Sequence, residues 1–312
     1  MALAAATGTG FMASPAYAAA PQVKSQAPGF YRMMLGDFEI TVLSDGTPAM
    51  PIDKLLTNTR PGQVDKLLTD AHLSSPINVS INAYLINTGS KLLLVDTGAG
   101  TLFGAPSSTL LANLRTAGYQ PEQIDAVLLT HLHTDHSGGL MAGDKRAFPN
   151  AVVHVDKHDT DFWLSTANRD KAAEAMKPRF KEAMDSLNPY LEAGKLETFD
   201  GDTELVPGIK AIPARGHTPG HSFYSVESQG QKLVLWGDLV HVAAVQFPEP
   251  SVTIQYDLDS KAAAAQRAKA FADAAKQGYW VAADHIAFPG IGHLRANGKG
   301  YLWQPVNYNA SP

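Results

Sequence analysis

The chain has 312 residues, of which 45% are hydrophobic and 18% are charged, and its formal net charge is -5. This composition is ordinary for a globular protein, and it offers neither a basic face for nucleic acid nor a Lys/Arg-rich run that would hold the chain at a membrane. The sequence contains no cysteine, which excludes disulfides, a thiolate nucleophile and a metal held by cysteine.

The chain starts with a small, apolar leader. Residues 1–20 carry no charge, and "AYA" at residues 16–18 has the A-x-A form of a signal-peptide cleavage site. The basic segment that usually opens such a signal is missing. We interpret residues 1–20 as a secretory signal shortened at its N-terminus, and therefore expect a periplasmic or secreted protein. A disordered Ala-rich leader is the alternative.

Strands and helices alternate through the rest of the chain, residues 21–312. Strands are predicted at Asp37–Gly46, twice within Ile81–Gly100, and at Ile124–His131, Ala151–Asp159, Ile209–His217, His221–Ser228, Lys232–Asp238 and Tyr279–His285. Helices are predicted at Ser107–Gly118, at about Ala167–Leu191 and at Ser260–Gly278. Because no break in composition divides these elements, we predict a single α/β domain in which helices cover two sheets.

The segment "THLHTDHSGG" (Thr130–Gly139) places three histidines and an aspartate within six residues, directly after an apolar strand. In extended chain His131 and His133 project to the same side, whereas Asp135 and His136 lie beyond a turn and can reach a second point. Four ligands in one loop are more than one catalytic zinc uses, because one position stays open to water. The spacing therefore favours two metal ions.

A site with two metals needs further ligands, and the sequence places candidates at the ends of later predicted strands. His217 ends "IKAIPARGH", Asp238 ends "KLVLWGD" and His285 ends "YWVAADH". A single histidine is more often structural than a ligand. The shared position of these three residues, downstream of a His-rich loop, favours ligands, and the carboxylate of Asp238 is suited to bridge two cations.

These segments together resemble the metallo-β-lactamase superfamily. The resemblance runs from about Phe38 to His293 and rests on "HLHTDH", "VDTG", "GHTPGH", "WGD" and "ADH". Segments such as "NPYLEAGK", "VAAVQF" and "FPGIGH" are also similar to the methyl parathion hydrolases and their lactone-hydrolysing relatives. The resemblance implies an αββα sandwich, in which helices flank two β-sheets, and a binuclear site. It assigns His131, His133 and His217 to one ion and Asp135, His136 and His285 to the other, with Asp238 as the bridge.

The function implied by this resemblance is hydrolysis of lactones or aryl esters by a hydroxide held between two cations, with organophosphate triesters as promiscuous substrates. Asp135 and Asp238 are then the catalytic carboxylates. Zinc is the default metal, although manganese, cobalt and iron also accept His and carboxylate ligands. The family suggests a homodimer. A dedicated organophosphate triester hydrolase, a β-lactamase and a non-catalytic binding protein remain as alternatives.

The resemblance also indicates residues of a substrate pocket. The family's aromatic pocket positions correspond to Phe103, Trp163 and Phe180, whose flat faces would suit an aryl group. Core packing is the alternative, and it is strongest for Phe103. Three other positions, Leu55, Ile254 and Tyr256, depart from the residues that the family associates with efficient triester hydrolysis.

Two more residues near the predicted ligands have two readings each. His241 lies three residues after Asp238, where it could donate a hydrogen bond to an ester oxygen or lie on the rim without a role. Asp96, in "VDTG", is implied to orient a ligand, and its alternative is a turn-capping aspartate.

Overall fold

The computed structural model describes residues 20–104 and 108–311. Nearly all of the predicted leader, and Ser107 at the start of one predicted helix, lie outside the described residues. Among the helices of the described ranges, none combines the length and apolar character needed to cross a membrane.

Two seven-stranded sheets form the centre of the described chain, and within each sheet the strands lie side by side in chain order. The first sheet comprises β1 (Phe30–Leu35), β2 (Phe38–Gly46), β3 (Ile81–Asn87), β4 (Leu92–Val95), β5 (Ala126–Leu128), β6 (Val152–Asp156) and β7 (Leu196–Phe199). The second comprises β8 (Thr203–Val206), β9 (Ile209–Pro213), β10 (Ser222–Ser228), β11 (Gln231–Leu235), β12 (Trp280–Ala282), β13 (Ile291–Asn297) and β14 (Gly300–Pro305). Pairing is antiparallel from β1 to β4 and parallel from β4 to β7. In the second sheet only β11 and β12 pair in parallel, so both sheets mix the two modes.

The described helices cover the outer faces of these sheets or lie beside them. They are α1 (Ile52–Leu55), α2 (Gln63–Asp70), α3 (Leu110–Thr116), α4 (Thr134–Ser137), α5 (Lys157–Trp163), α6 (Thr166–Lys171), α7 (Lys177–Glu192), α8 (Ala243–Gln246) and α9 (Ser260–Gln277). Buried side chains of α3, α5 and α7 pack on the first sheet. Those of α9 pack on the second.

Alternating side chains explain why each sheet serves two cores. On β2, Ile40 and Val42 are fully buried between the two sheets, whereas Leu43 belongs to the core under α3 and α7. Tyr84 and Leu85 of β3 divide in the same way. Side chains on successive strand residues point to opposite faces, so one strand contributes to both layers. The predicted α/β fold with two sheets flanked by helices is confirmed.

A small apolar cluster lies beside the sandwich and is formed by short segments that are distant in sequence. Residues of α1 and α2 pack there against Val242 and Val245 near α8. Two short strand pairs hold this region together, Leu56–Thr57 with Thr253–Ile254 and Ala49–Met50 with Ile77–Asn78. These segments form one wall of the cavity described below.

Several predicted strands end earlier than expected. The strand predicted as Ile124–His131 ends at Leu128, and β9, β11 and β12 likewise end three or four residues before the predicted ligands. Beyond Leu128 the backbone turns away from the ladder, because the Thr130 amide donates to Asp96 Oδ1 at 2.8 Å. The candidate ligands therefore lie in loops, which can direct their side chains to one place.

Two further boundaries differ from prediction because of capping. The strand predicted as Ala151–Asp159 ends at Asp156, whose side chain accepts from the His158 amide and so starts α5. The helix predicted from Ser107 begins at Leu110, where the Leu110 amide donates to Asp45 Oδ1 at 3.0 Å. In both cases an aspartate side chain takes up a free amide at the helix start.

Candidate metal centre

Loops from both sheets bring the seven predicted ligands to one place. The loop after β5 and the short helix α4 carry four of them, and the loops after β9, β11 and β12 carry one each. Their ligand atoms form two groups, within which all atoms lie inside 4.8 Å of one another. The groups are His131, His133, His217 and Asp238, and Asp135, His136 and His285.

Asp238 lies between the two groups and presents a different oxygen to each. Its Oδ2 is 3.1 Å from His217 Nε2 and 3.6 Å from His131 Nε2. Its Oδ1 is 3.0 Å from His136 Nε2 and 3.1 Å from His285 Nε2. A carboxylate in this position is able to contact two cations at once.

The donor set and its burial fit a pair of divalent cations. His131 Nε2, His136 Nε2 and Asp238 Oδ1 are buried and have no hydrogen bond of good geometry within the described residues, although they lie close together. Each buried polar atom without a hydrogen-bond partner lowers the stability of the folded protein by about 1–3 kcal/mol. Imidazole and carboxylate donors without sulfur suit zinc, manganese, cobalt or iron. Cations would satisfy the same atoms.

Burial and charge set the protonation of this centre when no metal is bound. Burial lowers the pKa of His217, but Asp238 and Asp257 more than offset it and raise the pKa to about 9. Burial also lowers the pKa of His285, but the carboxylates of Asp238 and Asp135 more than offset this effect and raise the pKa to about 9. Burial raises the pKa of Asp238, but the surrounding histidines hold it well below its usual range. A cation must therefore displace protons from these rings.

Three of the rings are oriented through their second nitrogen. His217 Nδ1 donates to Asp257 Oδ1 at 2.8 Å, and His285 Nδ1 donates to the Ser80 carbonyl at 2.8 Å. His136 Nδ1 lies 2.9 Å from Asp96 Oδ2. Such contacts fix the ring and leave Nε2 free to act as a ligand. Asp257 and Ser80 carry no motif in the sequence that could have identified them.

Asp96 takes the first of the two roles considered for it, because its side chain contacts Thr130 and His136, whereas the amides of Thr97 and Ala99 in its own turn donate to other residues. Besides its contact with His136, it accepts hydrogen bonds from the amide and hydroxyl of Thr130, at 2.8 Å and 2.6 Å. It has a positive φ of 59°, which is uncommon outside glycine and turns the chain sharply after β4. The residue therefore shapes the turn and contacts a candidate ligand at the same time.

Asp159 ties the ligand loops of the two sheets together, and sequence reasoning missed it. It is fully buried and accepts from the Leu132 amide at 2.9 Å, from the Gly220 amide at 2.6 Å and from Thr218 Oγ1 at 3.0 Å. Burial raises its pKa to about 6, while these hydrogen bonds lower it. The sequence placed Asp159 at the end of a strand, which concealed its position in α5.

A cavity of about 320 Å³ opens beside the two groups of ligands. Of the predicted pocket residues, Phe103, His241, Ile254 and Tyr256 line it. The core alternative for Phe103 is wrong, because its side chain is 44% exposed. The cavity therefore has two aromatic residues in its wall, Phe103 and Tyr256.

Three predicted pocket residues lie elsewhere. Trp163 and Phe180 are buried in the core between α5, α7 and the first sheet, with ring centroids 4.8 Å apart. Trp163 reaches the centre only indirectly, since its ring contacts that of His133 at 5.4 Å. Leu55 packs in the small cluster of α1 and α2 and does not line the cavity.

His241 lies inside the centre and not on its rim. It is 5% exposed, and its Nε2 is 3.1 Å from Asp238 Oδ2. Its ring lies nearly parallel to that of His285, with centroids 5.2 Å apart. The sequence predicted the neighbourhood correctly, and the structure brings His241 into direct contact with the residue between the two groups.

The rest of the cavity wall comes from residues that the sequence did not single out. One side is aliphatic, and its members are Pro48, Met50, Ile52, Val79 and Ile81. Another side carries polar groups, including Thr134, Arg179 and Glu182. Apart from Thr134, which belongs to the His-rich segment, these residues come from three separate stretches of the chain without a motif, so their convergence depends on the tertiary fold.

Comparison with known proteins agrees with this geometry. The model of the metallo-beta-lactamase superfamily matches residues 77–290. A solved structure described as hydrolase AbOPH in the beta lactamase superfamily has a TM-score of 0.87 and 38% identity, covering 91% of this chain and 100% of that one. AidC, described as a dizinc quorum-quenching lactonase in complex with the product N-hexnoyl-L-homoserine, has a TM-score of 0.82 and 28% identity, covering 90% and 98%.

Among sequences of known function, the N-acyl homoserine lactonase of Bacillus cereus is 28% identical over 191 residues, which is 55% of this chain and 67% of that protein. The family match spans most of both sheets and includes the seven residues that converge around Asp238. On these grounds the chain belongs to the metallo-β-lactamase superfamily and is a metal-dependent hydrolase.

Proposed function

We propose that this protein hydrolyses lactones and aryl esters at a centre of two zinc ions, with organophosphate triesters of the methyl parathion type as promiscuous substrates. The observation that carries the proposal is the position of Asp238, between two groups of ring nitrogens and beside a cavity of about 320 Å³. The lactonases among the similar proteins support the lactone class, and the dizinc description of one of them supports zinc.

In this proposal the two groups of ligands hold one ion each. His131, His133 and His217 would hold the first, Asp135, His136 and His285 would hold the second, and Asp238 would be shared between the two groups. When bound, two such ions lower the pKa of water towards neutrality and polarise the carbonyl or phosphoryl group under attack.

The protein's own contribution is to position these ligands and to hold the substrate. Asp257, Asp96 and the Ser80 carbonyl fix the rings, so that little reorganisation is needed during the reaction. Asp135 lines the cavity and is more exposed than Asp238, with 20% of its side chain accessible against 3%. The substrate therefore approaches the centre from the side of Asp135.

The composition of the cavity wall favours lactones over triesters as the main substrates. Its aliphatic side suits a hydrocarbon chain, whereas the aromatic lining comes from Phe103 and Tyr256, since Trp163 and Phe180 are buried in the core. His241 can donate a hydrogen bond to an ester oxygen and restricts the space available to a bulky tetrahedral phosphorus centre.

A kinetic panel with the zinc-loaded protein tests the proposal. The panel contains a lactone, an aryl ester, a phosphotriester and a β-lactam, with chelated protein as the control. We expect kcat/KM to be highest for the lactone or the aryl ester, lower for the phosphotriester, and negligible for the β-lactam. A phosphotriester as the best substrate would favour a dedicated organophosphate hydrolase, and no turnover of any substrate would favour a binding protein.

We also propose that the protein is exported and forms a homodimer. Export is supported by the A-x-A pattern at residues 16–18, and the dimer by the family resemblance. Cell fractionation of the full chain and sedimentation velocity test the two proposals separately.

A further inference from the structure

Arg179 is a charged residue in the cavity wall. It lies in the first turn of α7, and its guanidinium carbon is 5.1 Å from the centroid of the Tyr256 ring, which lines the same cavity. Within residues 20–104 and 108–311 it forms no ion pair and no hydrogen bond. Lys177, in the same turn, pairs with Glu174 at 2.5 Å. The guanidinium donors of Arg179 thus remain available to a molecule in the cavity.

The stability of α7 does not explain a cation at this position. The first turn of a helix carries a partial positive charge, so a cation there is unfavourable. The first turn of α7 contains no acidic residue that would compensate. The two metal ions of the proposed centre would also repel the guanidinium. A bound oxygen acceptor would relieve both effects.

The neighbouring acidic residue does not neutralise Arg179. Glu182 lies one turn further along α7 and also lines the cavity, but its Oε2 accepts a hydrogen bond from Thr134 Oγ1 at 2.5 Å. That bond ties α7 to the segment that carries His133 and Asp135. The aliphatic residues of the wall, such as Met50 and Ile52, offer no polar group. Among its described lining residues, the cavity therefore combines aliphatic side chains with the guanidinium of Arg179.

We propose that Arg179 is a specificity-determining residue that binds an oxygen acceptor of the substrate outside the scissile bond, an amide carbonyl or a carboxylate on the acyl part. The planar guanidinium suits both acceptors, since it presents parallel donors. The aliphatic side then takes the hydrocarbon chain that continues beyond this acceptor. This inference rests on the proposed function and narrows its substrate class.

The first test compares two lactones in the zinc-loaded protein and its variants. One is N-hexanoyl-homoserine lactone, and the other is a γ-butyrolactone whose alkyl chain has the same length but lacks the amide. In Arg179→Met we expect kcat/KM for the amide lactone to fall roughly ten- to a hundredfold, mainly through KM, because a hydrogen bond to a charged group is lost. For the alkyl lactone the loss in kcat/KM should be markedly smaller, because this substrate offers no amide carbonyl to the guanidinium.

Two further variants serve as controls. Arg179→Lys keeps the charge but loses the planar pair of donors, so it should recover part of the loss for the amide lactone. Arg295→Met removes an exposed arginine of β13, away from the cavity, and should change neither substrate. Equal losses for both lactones in Arg179→Met, or no loss for either, would overturn the inference.

A second test measures binding without turnover. Lactams replace the lactones, one carrying the hexanoyl amide, one an alkyl chain and one a carboxylate, and calorimetry gives Kd for each. A loss confined to the amide or to the carboxylate lactam in Arg179→Met identifies the acceptor. If the unmodified protein hydrolyses no lactone or ester, the proposed function fails, while this measurement still decides the role of Arg179. Unchanged Kd values for all three lactams would reject it.

Discussion

At the scale of single residues, Asp238 is where the two groups of ligands meet. Replacing it by Asn keeps its size but removes the charge and one of the two oxygens that face His136 and His217. We expect Asp238→Asn to bind fewer metal ions and to lose more than about a hundredfold in kcat/KM for every substrate. Substitution of a residue that only hydrogen-bonds to a metal ligand already lowers metal affinity or activity by up to about a hundredfold. Elemental analysis and kinetics check this.

The matched control is Asp185→Asn, an exposed residue of α7 that pairs with Lys181. It should keep the metal content and the turnover of the unmodified protein. Two tightly bound ions together with normal turnover in Asp238→Asn would show that this carboxylate is not the bridge.

His241 is the second residue whose substitution separates substrates. Its Nε2 contacts Asp238 Oδ2 and its ring narrows the cavity next to His285. We expect His241→Leu to raise phosphotriester turnover relative to lactone turnover, because the variant loses a donor for the lactone oxygen and gains room for a tetrahedral centre. One pocket contact is worth about 1–3 kcal/mol of discrimination. The ratio of the two kcat/KM values tests this, and an unchanged ratio would make His241 a bystander.

The protonation of the ligand rings predicts how metal affinity depends on pH. The pKa values of His217 and His285 are raised to about 9 in the metal-free protein, so both rings carry a proton at pH 7 that a cation must displace. The apparent affinity should therefore rise as pH increases from 7 towards 9. Each displaced proton contributes roughly a tenfold change per pH unit. Competition with a chelator of known affinity measures it, and a flat profile would contradict these protonation states.

At the scale of elements, Arg267 of α9 holds the loops that form the second half of the site. It is fully buried, and its guanidinium donates to the carbonyls of Leu239, Val252 and Pro250, at 2.7, 2.6 and 3.1 Å. Burial lowers its pKa to about 10, so it stays charged at neutral pH. The segment between Asp238 and Ile254 is thereby fixed to the helix that covers the second sheet.

Arg267→Met should destabilise the protein by about 1–3 kcal/mol, because the buried Leu239 carbonyl loses its donor, whereas the Val252 carbonyl still accepts from Gln246 Nε2. Arg267→Lys should lose less, since an ammonium still donates to one or two of them. Denaturant unfolding of both variants checks the order, with the exposed Arg295→Met as control. Equal stability of the Met and Lys variants would show that these hydrogen bonds contribute little.

The sequence predicts elements well where a pattern is local. The apolar run of β3 and the Ala-rich helix α9 have the expected bounds to within a residue, and Asp259 and Gly278 cap that helix. Prediction from sequence fails where a single side chain sets the boundary of an element, as at Asp156, which ends a strand and caps the start of α5. It also missed β1, although β1 forms a local hairpin with β2 across the two residues Gly36 and Asp37.

In the candidate site, too, residues in a local sequence pattern could be predicted, whereas residues placed by tertiary packing could not. The seven candidate ligands could be identified because each follows a strand and their types are rare in an apolar setting. The cavity wall could not, because an aromatic residue in a helix looks the same whether it faces a ligand or the core. Trp163 and Phe180 were assigned to the pocket from the family resemblance, yet packing buries both, while Arg179 next to Phe180 reaches the cavity.

At the scale of the whole molecule, two tyrosines connect the sheets directly beneath the site. Tyr84 of the first sheet donates to the Ala283 carbonyl at 2.8 Å, two residues before His285. Tyr224 of the second sheet donates to the Leu129 carbonyl at 2.7 Å, two residues before His131. Each sheet thus anchors the ligand loop of the other.

Tyr224→Phe should lower the free energy of unfolding by about 1–3 kcal/mol, because the buried Leu129 carbonyl loses its donor. It should also weaken metal binding, since the loop that carries His131 loses an anchor from the opposite sheet. Chemical denaturation and metal titration test the two effects. Tyr308→Phe, an exposed site, is the control, and a variant with unchanged stability and affinity would show that the contact is dispensable.

The arrangement of the ligands along the chain has a consequence for how the protein could be divided. All strands of the first sheet precede those of the second, and the link between β7 and β8 is the short segment Asp200–Asp202. A cut there would leave four candidate ligands on one fragment and three on the other, with Asp238 separated from His131 and His136. Neither fragment could catalyse alone, and hydrolysis would return only on their reassociation. The fold is therefore suited to a split reporter whose signal records that two halves have met.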